Sequence, residues 1–255
     1  MLRKLGDFSM TKKETRTLIL FGVSIIFANL VLRLLLKPLP EEIAYLIKTL
    51  VLGCGYYFLV HKRLGLKINS TKKISWYETL SVCWLVLLAD FFYLSAGAFG
   101  ISKAPHMIGT ALIIALGAGF FEEYVSRGLF LKLAFQDGVK SSKQVLGVVL
   151  LSALSFGLAH LVNLTHQPLN ATLFQVYYAT AIGIFYAAIY LRTGSLWWTI
   201  VLHCLIDFAS VLFSQSTQAA PATSIWNFIF WLPLIAIGLF LIRPKKLKAI
   251  RYLND

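Results

Sequence analysis

The sequence predicts an all-α, polytopic membrane protein with about eight transmembrane helices and with both termini in the cytoplasm. The first observation is composition: of the 255 residues, 58% are hydrophobic and 14% are charged, and the mean hydropathy is +0.74. Ordinary soluble domains are about 45–50% apolar and about 25% charged. The second observation is a series of apolar runs, and the third is an alternation of basic and non-basic connections between them.

Eight apolar runs have about the 20-residue length that a helix needs to cross a bilayer. Only Pro233 lies inside a run, whereas the other prolines fall between runs or at their ends. The link between runs six and seven, residues 192–195, is short enough to predict an antiparallel hairpin. We expect residues 1–255 to form a single integral membrane domain. The runs are 17–36, 43–60, 77–97, 107–135, 145–164, 172–191, 195–212 and 225–242.

The formal net charge of +13 is distributed unevenly along the chain. Lys and Arg concentrate before the first run, in the second, fourth and sixth connections, and after the eighth run. The first and third connections hold only Lys37 and Lys103, and the fifth and seventh hold none. Because basic connections stay in the cytoplasm, this alternation places both termini there. Scattered basic residues indicate no nucleic-acid partner, and the expected surroundings are the lipid bilayer.

Run four contains Glu122, Glu123 and Arg127 in an otherwise apolar environment. A charge near the centre of a membrane helix costs roughly 2.5–3.5 kcal/mol on insertion scales, so such residues are functional candidates. Glu123 and Arg127 are four residues apart and can pair. Glu122 is rotated from Glu123 by about 100° and can point elsewhere. A purely structural pair that holds helices together is the alternative. Lys48 and Asp90 lie at similar predicted depths, and we interpret them as a structural ion pair.

Two further runs carry histidines within the predicted hydrocarbon layer. Run five contains Phe156 and His160, and run seven contains His203 and Asp207. Each pair is four residues apart and therefore shares one helix face. Counting about 1.5 Å per residue places Glu122, His160 and His203 between a third and two thirds of the way across the bilayer. The resulting hypothesis is that these side chains converge in one cavity.

Several chemistries fit such a set of residues. A carboxylate and an imidazole in a confined cavity can activate water, and His203 could donate to a developing oxyanion. The alternative ligands of a zinc ion are Glu122, His160, His203 and Asp207, although the His-Glu-x-x-His motif is absent. Intramembrane Glu, His and Asp also mark transporters and proton relays, but we find no internal repeat. These alternatives stay open on the residues alone.

The motifs resemble those of the CPBP intramembrane protease family, which includes the type II CAAX prenyl endopeptidases and the bacterial Abi family. Three motifs match in order, each inside a predicted helix: Glu-Glu-x-x-x-Arg at 122–127, Phe-x-x-x-His at 156–160, and His-x-x-x-Asp at 203–207. The resemblance covers residues 107–212. It implies that this segment is a catalytic core of four helices.

The resemblance implies an endopeptidase that acts on a membrane-associated peptide or protein and needs no cofactor. By similarity, Glu122 and His160 position and activate the water, and Glu123 and Arg127 support the site. His203 and the residue at 207 stabilise the oxyanion.

One position departs from the prenyl-processing members, which carry Asn where this chain has Asp207. An ionised aspartate cannot donate a hydrogen bond to an oxyanion. Asp207 can instead orient His203, donate while protonated, or bind a metal. Phe156 takes a supporting part by its place in the second motif.

The resemblance also sets expectations about biology. The short connections look like those of bacterial members, some of which are linked to bacteriocin self-immunity or peptide processing. We therefore expect a multi-pass protein of the bacterial plasma membrane, with a cavity reached from the cytoplasmic side. The alternatives are a zinc-type metalloprotease that uses the same residues and a non-catalytic immunity or scaffold protein.

Overall fold

The computed structural model describes residues 12–63, 65, 76–136, 138–139 and 141–249, and no β-strand occurs within these ranges. The predicted all-α membrane class is confirmed. The α-helices are α1 Lys12–Leu35, α2 Glu41–Phe58, α3 Trp76–Lys103, α4 Ile108–Glu123, α5 Phe130–Ala134, α6 Ser142–Ala159, α7 Leu169–Thr193, α8 Leu196–Ser214, α9 Ile225–Ile229 and α10 Leu232–Leu241. Turns of π-helix follow α2 (Leu59–Arg63) and α4 (Tyr124–Leu129). Turns of 3₁₀-helix are Pro105–Met107, His160–Thr165 and Pro244–Ala249.

Six of the eight predicted runs coincide with helices that are long and apolar enough to cross a membrane. The third run coincides with α3, whose 28 residues give about 40 Å of helix, more than the bilayer core. Large apolar side chains such as Phe27, Leu50 and Phe91 are exposed on the outer faces of these helices. Such faces suit contact with lipid chains, which impose no penalty on exposed apolar groups.

The eighth run is broken into α9 and α10, whereas the sequence predicts one continuous helix. The break falls just before Pro233, because proline lacks an N–H and restricts the residue that precedes it. The two short helices still follow α7 along its length. The Tyr177 hydroxyl donates to the carbonyl of Phe228 (2.8 Å), and Arg192 Nη1 donates to the carbonyl of Leu241 (3.3 Å).

The short link between α7 and α8 turns the chain as predicted. Gly194 ends α7 in the left-handed conformation (φ 65°), which glycine adopts without a steric penalty. The two helices then diverge: α7 packs mainly against α6 and α10, and α8 packs mainly against α4 and α3. Among the six helices long and apolar enough to span a membrane, α7 is the most completely buried, so it forms the centre of the bundle.

Helices α4 and α8 approach closely at Gly119, where the backbone of α8 lies against the glycine. A Cβ atom at this position would overlap the sulfur of Cys204 and would lie 3.0 Å from the carbonyl oxygen of Ile200. Small residues at membrane-helix interfaces permit this proximity and its dispersion contacts. The approach holds the last turn of α4 against the middle of α8.

We expect Gly119→Ala to destabilise the fold by about 1–3 kcal/mol, because the added methyl group overpacks the interface. Gly109→Ala is the matched control on the same helix, since a Cβ atom there meets open space. The control should stay neutral or gain up to about 1 kcal/mol from helix propensity. Thermal unfolding in detergent measures both, and equal midpoints would contradict the close approach.

Candidate active site

The Glu-Glu-x-x-x-Arg motif lies where α4 changes into a turn of π-helix, Tyr124–Leu129. Turns of this type are rare and frequently occur at functional sites. Helix α6 contacts this turn directly, because the hydroxyl of Ser152 donates to the carbonyl of Ser126 at 2.7 Å. The turn therefore fixes the position of the motif relative to α6.

Glu123 accepts hydrogen bonds from two different helices. Arg127 Nη1 donates to Glu123 Oε1 at 2.7 Å, and both side chains are fully buried. His203 Nδ1 lies 2.9 Å from the same oxygen. Because the carboxylate paired with Arg127 is an acceptor, His203 Nδ1 carries the hydrogen in this bond. Glu123 therefore pairs with Arg127, as the spacing predicts, and also connects α4 to α8 through His203.

Phe156 contacts the arginine and both histidines. The Arg127 guanidinium lies 4.3 Å from the centre of the Phe156 ring and 5.6 Å from the centre of the Tyr186 ring. The rings of His160 and His203 meet Phe156 edge to face, with centroids 5.0 and 6.0 Å away. The aromatic faces attract the buried cation, and the edge-to-face contacts hold both imidazoles against the Phe156 ring.

His160 is the first residue of the 3₁₀ turn that follows α6, and its Nδ1 lies 3.0 Å from the carbonyl oxygen of Phe156. A carbonyl oxygen only accepts hydrogen bonds, so Nδ1 donates and the neutral ring keeps its lone pair on Nε2. The bond thereby fixes both the tautomer and the orientation of the imidazole. This leaves Nε2 as a hydrogen-bond acceptor.

A cavity of about 430 Å³ receives the side chains of all three motifs. This volume lies within the usual range of small-ligand sites, about 300–1,000 Å³. His203 Nε2 lies 3.9 Å from Glu122 Oε2 and 3.5 Å from Asp207 Oδ2. The lining includes Glu122, Phe156, His160, His203 and Asp207. Glu123 and Arg127 lie behind this lining, in contact with its members His203 and Phe156.

The adjacent glutamates therefore occupy different environments. The Glu122 side chain retains 26% exposure toward the cavity, whereas the Glu123 side chain has none. In the described ranges, no group of three or more His, Cys, Asp or Glu side chains has an arrangement that could hold a metal ion. The arrangement suits activation of water by a carboxylate and an imidazole.

The predicted ion pair between Lys48 and Asp90 is wrong. The oxygens of Asp90 are buried without a hydrogen-bond partner among the described residues, whereas Lys48 lines the cavity with Glu122. The Lys48 ammonium lies 4.9 Å from the centre of the Tyr45 ring. Equal depth on neighbouring runs does not fix which way a side chain points. The three-residue spacing of Tyr45 and Lys48, which gives them one face, was the available signal.

Comparison with known proteins agrees with the motifs. Residues 104–209 match the model of a protease family described as Type II CAAX prenyl endopeptidase Rce1-like. The matched segment contains all three motifs and confirms the predicted family. No curated protein and no solved structure matches the chain.

The two glutamates should differ sharply in their effect on stability. Glu123→Ala leaves Arg127 buried without its ion-pair partner, which costs about 3–5 kcal/mol. Glu122→Ala removes a partly exposed side chain, and we expect a change of about 1 kcal/mol or less. Denaturant or thermal unfolding in detergent measures the difference between these neighbouring variants. Similar losses of stability in the two variants would contradict the conclusion that the two glutamates occupy different environments.

Proposed function

We propose that this chain, which belongs to the Type II CAAX prenyl endopeptidase Rce1-like family over residues 104–209, is an intramembrane endopeptidase that hydrolyses a peptide bond of a membrane-associated protein or peptide. Glu122 and His160 activate the water, and the reaction needs no cofactor. The segment 107–212 is the catalytic core within one integral membrane domain. The surrounding helices complete the cavity.

One observation carries this proposal: a carboxylate from α4 and an imidazole from the 3₁₀ turn after α6 line the same cavity, and the imidazole has a fixed tautomer. Its Nε2 can accept a hydrogen bond from a water molecule whose other hydrogen points toward Glu122. Because water and peptide would be bound side by side, the reaction would avoid much of the entropy cost of bringing them together from solution. The site therefore has the parts of a general-base hydrolase.

The proposed reaction begins when Glu122 takes a proton from the water as its oxygen attacks the carbonyl carbon of the substrate. The carbonyl π electrons move to oxygen and form a tetrahedral oxyanion. Glu122 then returns the proton to the amide nitrogen as the C–N bond breaks. The oxyanion re-forms the C=O bond, so the products are a peptide with a new carboxylic acid, which then loses its proton to water, and a peptide with a new amine. A carboxylate that alternates as base and acid accounts for every proton in this sequence.

His203 serves the oxyanion in this proposal. Its Nδ1 is held by Glu123, so in the doubly protonated ring Nε2–H faces the cavity. Before the reaction, Asp207 Oδ2 lies 3.5 Å from Nε2 and is the acceptor that orients this single N–H. The oxyanion then replaces Asp207 as the acceptor, and Asp207 itself donates no hydrogen bond to it. Glu123 and Arg127 are positioning residues, because they act through His203. Phe156 supports the same arrangement by packing against Arg127.

The biological setting is part of the proposal. We place the protein in the bacterial plasma membrane, where related chains with short connections are linked to bacteriocin self-immunity or peptide processing. This setting rests on the resemblance alone, and the site itself specifies a peptide and not a particular pathway.

Cleavage of a quenched fluorescent peptide library by the purified protein provides the test. We expect Glu122→Gln and His160→Ala to lower turnover by about 10²–10⁴-fold, the usual contribution of general acid–base catalysis. His106→Ala is the matched control, because His106 is exposed and lies outside the cavity. Wild-type turnover in Glu122→Gln would overturn the assignment of the base.

Two further outcomes separate the alternatives. Loss of cleavage with a chelator and recovery with zinc would identify a metalloprotease that uses the same residues. Absence of cleavage, together with a cellular immunity phenotype that survives both substitutions, would identify a non-catalytic scaffold.

His203 and Asp207 give a separate prediction. His203→Ala should lower turnover by about 10²–10³-fold, as loss of an oxyanion donor does. Asp207→Asn should stay within about tenfold of wild type, or roughly 1.4 kcal/mol, because the amide keeps an acceptor and adds a donor. Asp207→Leu should resemble His203→Ala. Steady-state kinetics compares the three, and a severe loss in Asp207→Asn would show that the carboxylate charge itself is required.

A further inference from the structure

The cavity opens at one end of the helix bundle, which we call the mouth face. It lies where the connections α1–α2, α6–α7 and α8–α9 meet. Arg33 Nε donates to the hydroxyl of Thr165 at 3.1 Å, and the hydroxyl of Thr217 donates to Glu41 at 3.4 Å. The cavity is lined at this end by Arg33, Glu41, Glu42, His166, Gln167 and Gln218.

The opposite end of the bundle, the basic face, contributes no described connection to the cavity lining. There the start of α3 meets the start of α8, with the Trp76 and Trp198 rings 5.6 Å apart. The end of α7 meets the end of α10 through the bond from Arg192 to Leu241. The ends of α2, α5 and α7, the starts of α3, α6 and α8, and the N-terminal end of α1 therefore lie on this face.

The reactive groups lie below the mouth face, inside the bundle. Glu122 is fourteen residues beyond the start of α4 at Ile108, which gives a depth of about 20 Å. Asp207 is seven residues before the end of α8 at Ser214, which gives about 10 Å. The cavity thus runs from the mouth face to the middle of the bundle. A substrate reaches the site from this end.

Lys and Arg divide unequally between the two faces. Among the described residues, the helix ends and turns at the basic face carry most of them: Lys12, Lys13, Arg16, Lys62, Lys132, Lys143, Arg192, Arg243, Lys245 and Lys246. The mouth face has Arg33, Lys37 and Lys103, with Glu41 and Glu42 beside them. Translocation of short connections disfavours Lys and Arg, so the basic face stays in the cytoplasm.

We infer that the cavity opens on the non-cytoplasmic side of the membrane, and that its substrate is a peptide segment exposed on that side. The substrate part of this inference rests on the proposed endopeptidase function. The inference replaces the cytoplasmic access that the resemblance to prenyl-processing members led us to expect. Candidate substrates are therefore translocated peptides or the outer segments of membrane-anchored proteins, and cytoplasmic prenylated chains are excluded.

Cysteine labelling tests the orientation independently of catalysis. The background variant replaces the three native cysteines (Cys54→Ser, Cys83→Ala and Cys204→Ala), and single cysteines are then added as Gln218→Cys at the mouth face and Lys62→Cys at the basic face. Both native side chains are exposed. A membrane-impermeant maleimide on intact cells should label Gln218→Cys, and should label Lys62→Cys only after the membrane is opened.

The reverse pattern, labelling of neither site in intact cells, or equal labelling of both would overturn the inference. Folding of each variant is checked by its unfolding midpoint. An alternative mouth site, Ala220→Cys, replaces Gln218→Cys if that variant is unstable, since Ala220 is also exposed.

Vesicles of known orientation link the result to function. A membrane-impermeant peptide substrate should be cleaved by right-side-out vesicles and spared by inside-out vesicles. Labelling as expected without cleavage in either preparation would refute the proposed enzyme but leave the orientation standing. Cleavage only in inside-out vesicles would refute the orientation but leave the enzyme standing.

Discussion

The site depends on one buried charge, the guanidinium of Arg127. It has no exposure to solvent, and an unpaired charge at such depth would be very costly. Glu123 neutralises it, and the aromatic faces of Phe156 and Tyr186 surround it. These partners come from α4, α6 and α7, and Glu123 also binds His203 on α8. The contacts around one cation therefore bring together four of the helices that line the cavity.

This arrangement separates the buried glutamate from the one that faces the cavity. Consecutive residues on an α-helix differ by about 100°, so neighbouring glutamates face different surroundings. Glu123 is committed to two hydrogen bonds, while Glu122 faces a cavity that a peptide and a water molecule can share. The two histidines also have different partners. His203 donates a hydrogen bond to the buried carboxylate of Glu123, and His160 donates one to the backbone carbonyl of Phe156.

Sequence periodicity predicted much of this arrangement, because four-residue spacing fixes a shared helix face without reference to the rest of the molecule. The pairing of Glu123 with Arg127 follows that rule. The common cavity of Glu122, His160 and His203 was a hypothesis that rested on their similar depths, and all three side chains line it. Features that depend on contacts between helices were not predictable. The turn of π-helix after Glu123, the direction of Lys48 and the divergence of α7 from α8 all arise from packing. The break before Pro233 was signalled by its own proline, but the sequence did not reveal whether neighbouring helices would restore a continuous span.

The depth of the cavity has a consequence for the electrical properties of the bilayer around the protein. A cavity of this size with polar groups in its lining has room for water, and a water-filled cavity holds its floor near the potential of the solution at its mouth. The transmembrane voltage then falls mainly across the protein between Glu122 and the basic face. A full crossing is worth about 2.3 kcal/mol per charge at 100 mV, but a charged peptide end that descends to Glu122 crosses little of this field. Entry of a charged substrate therefore involves little electrical work. The field of the membrane potential is concentrated in the closed half of the bundle.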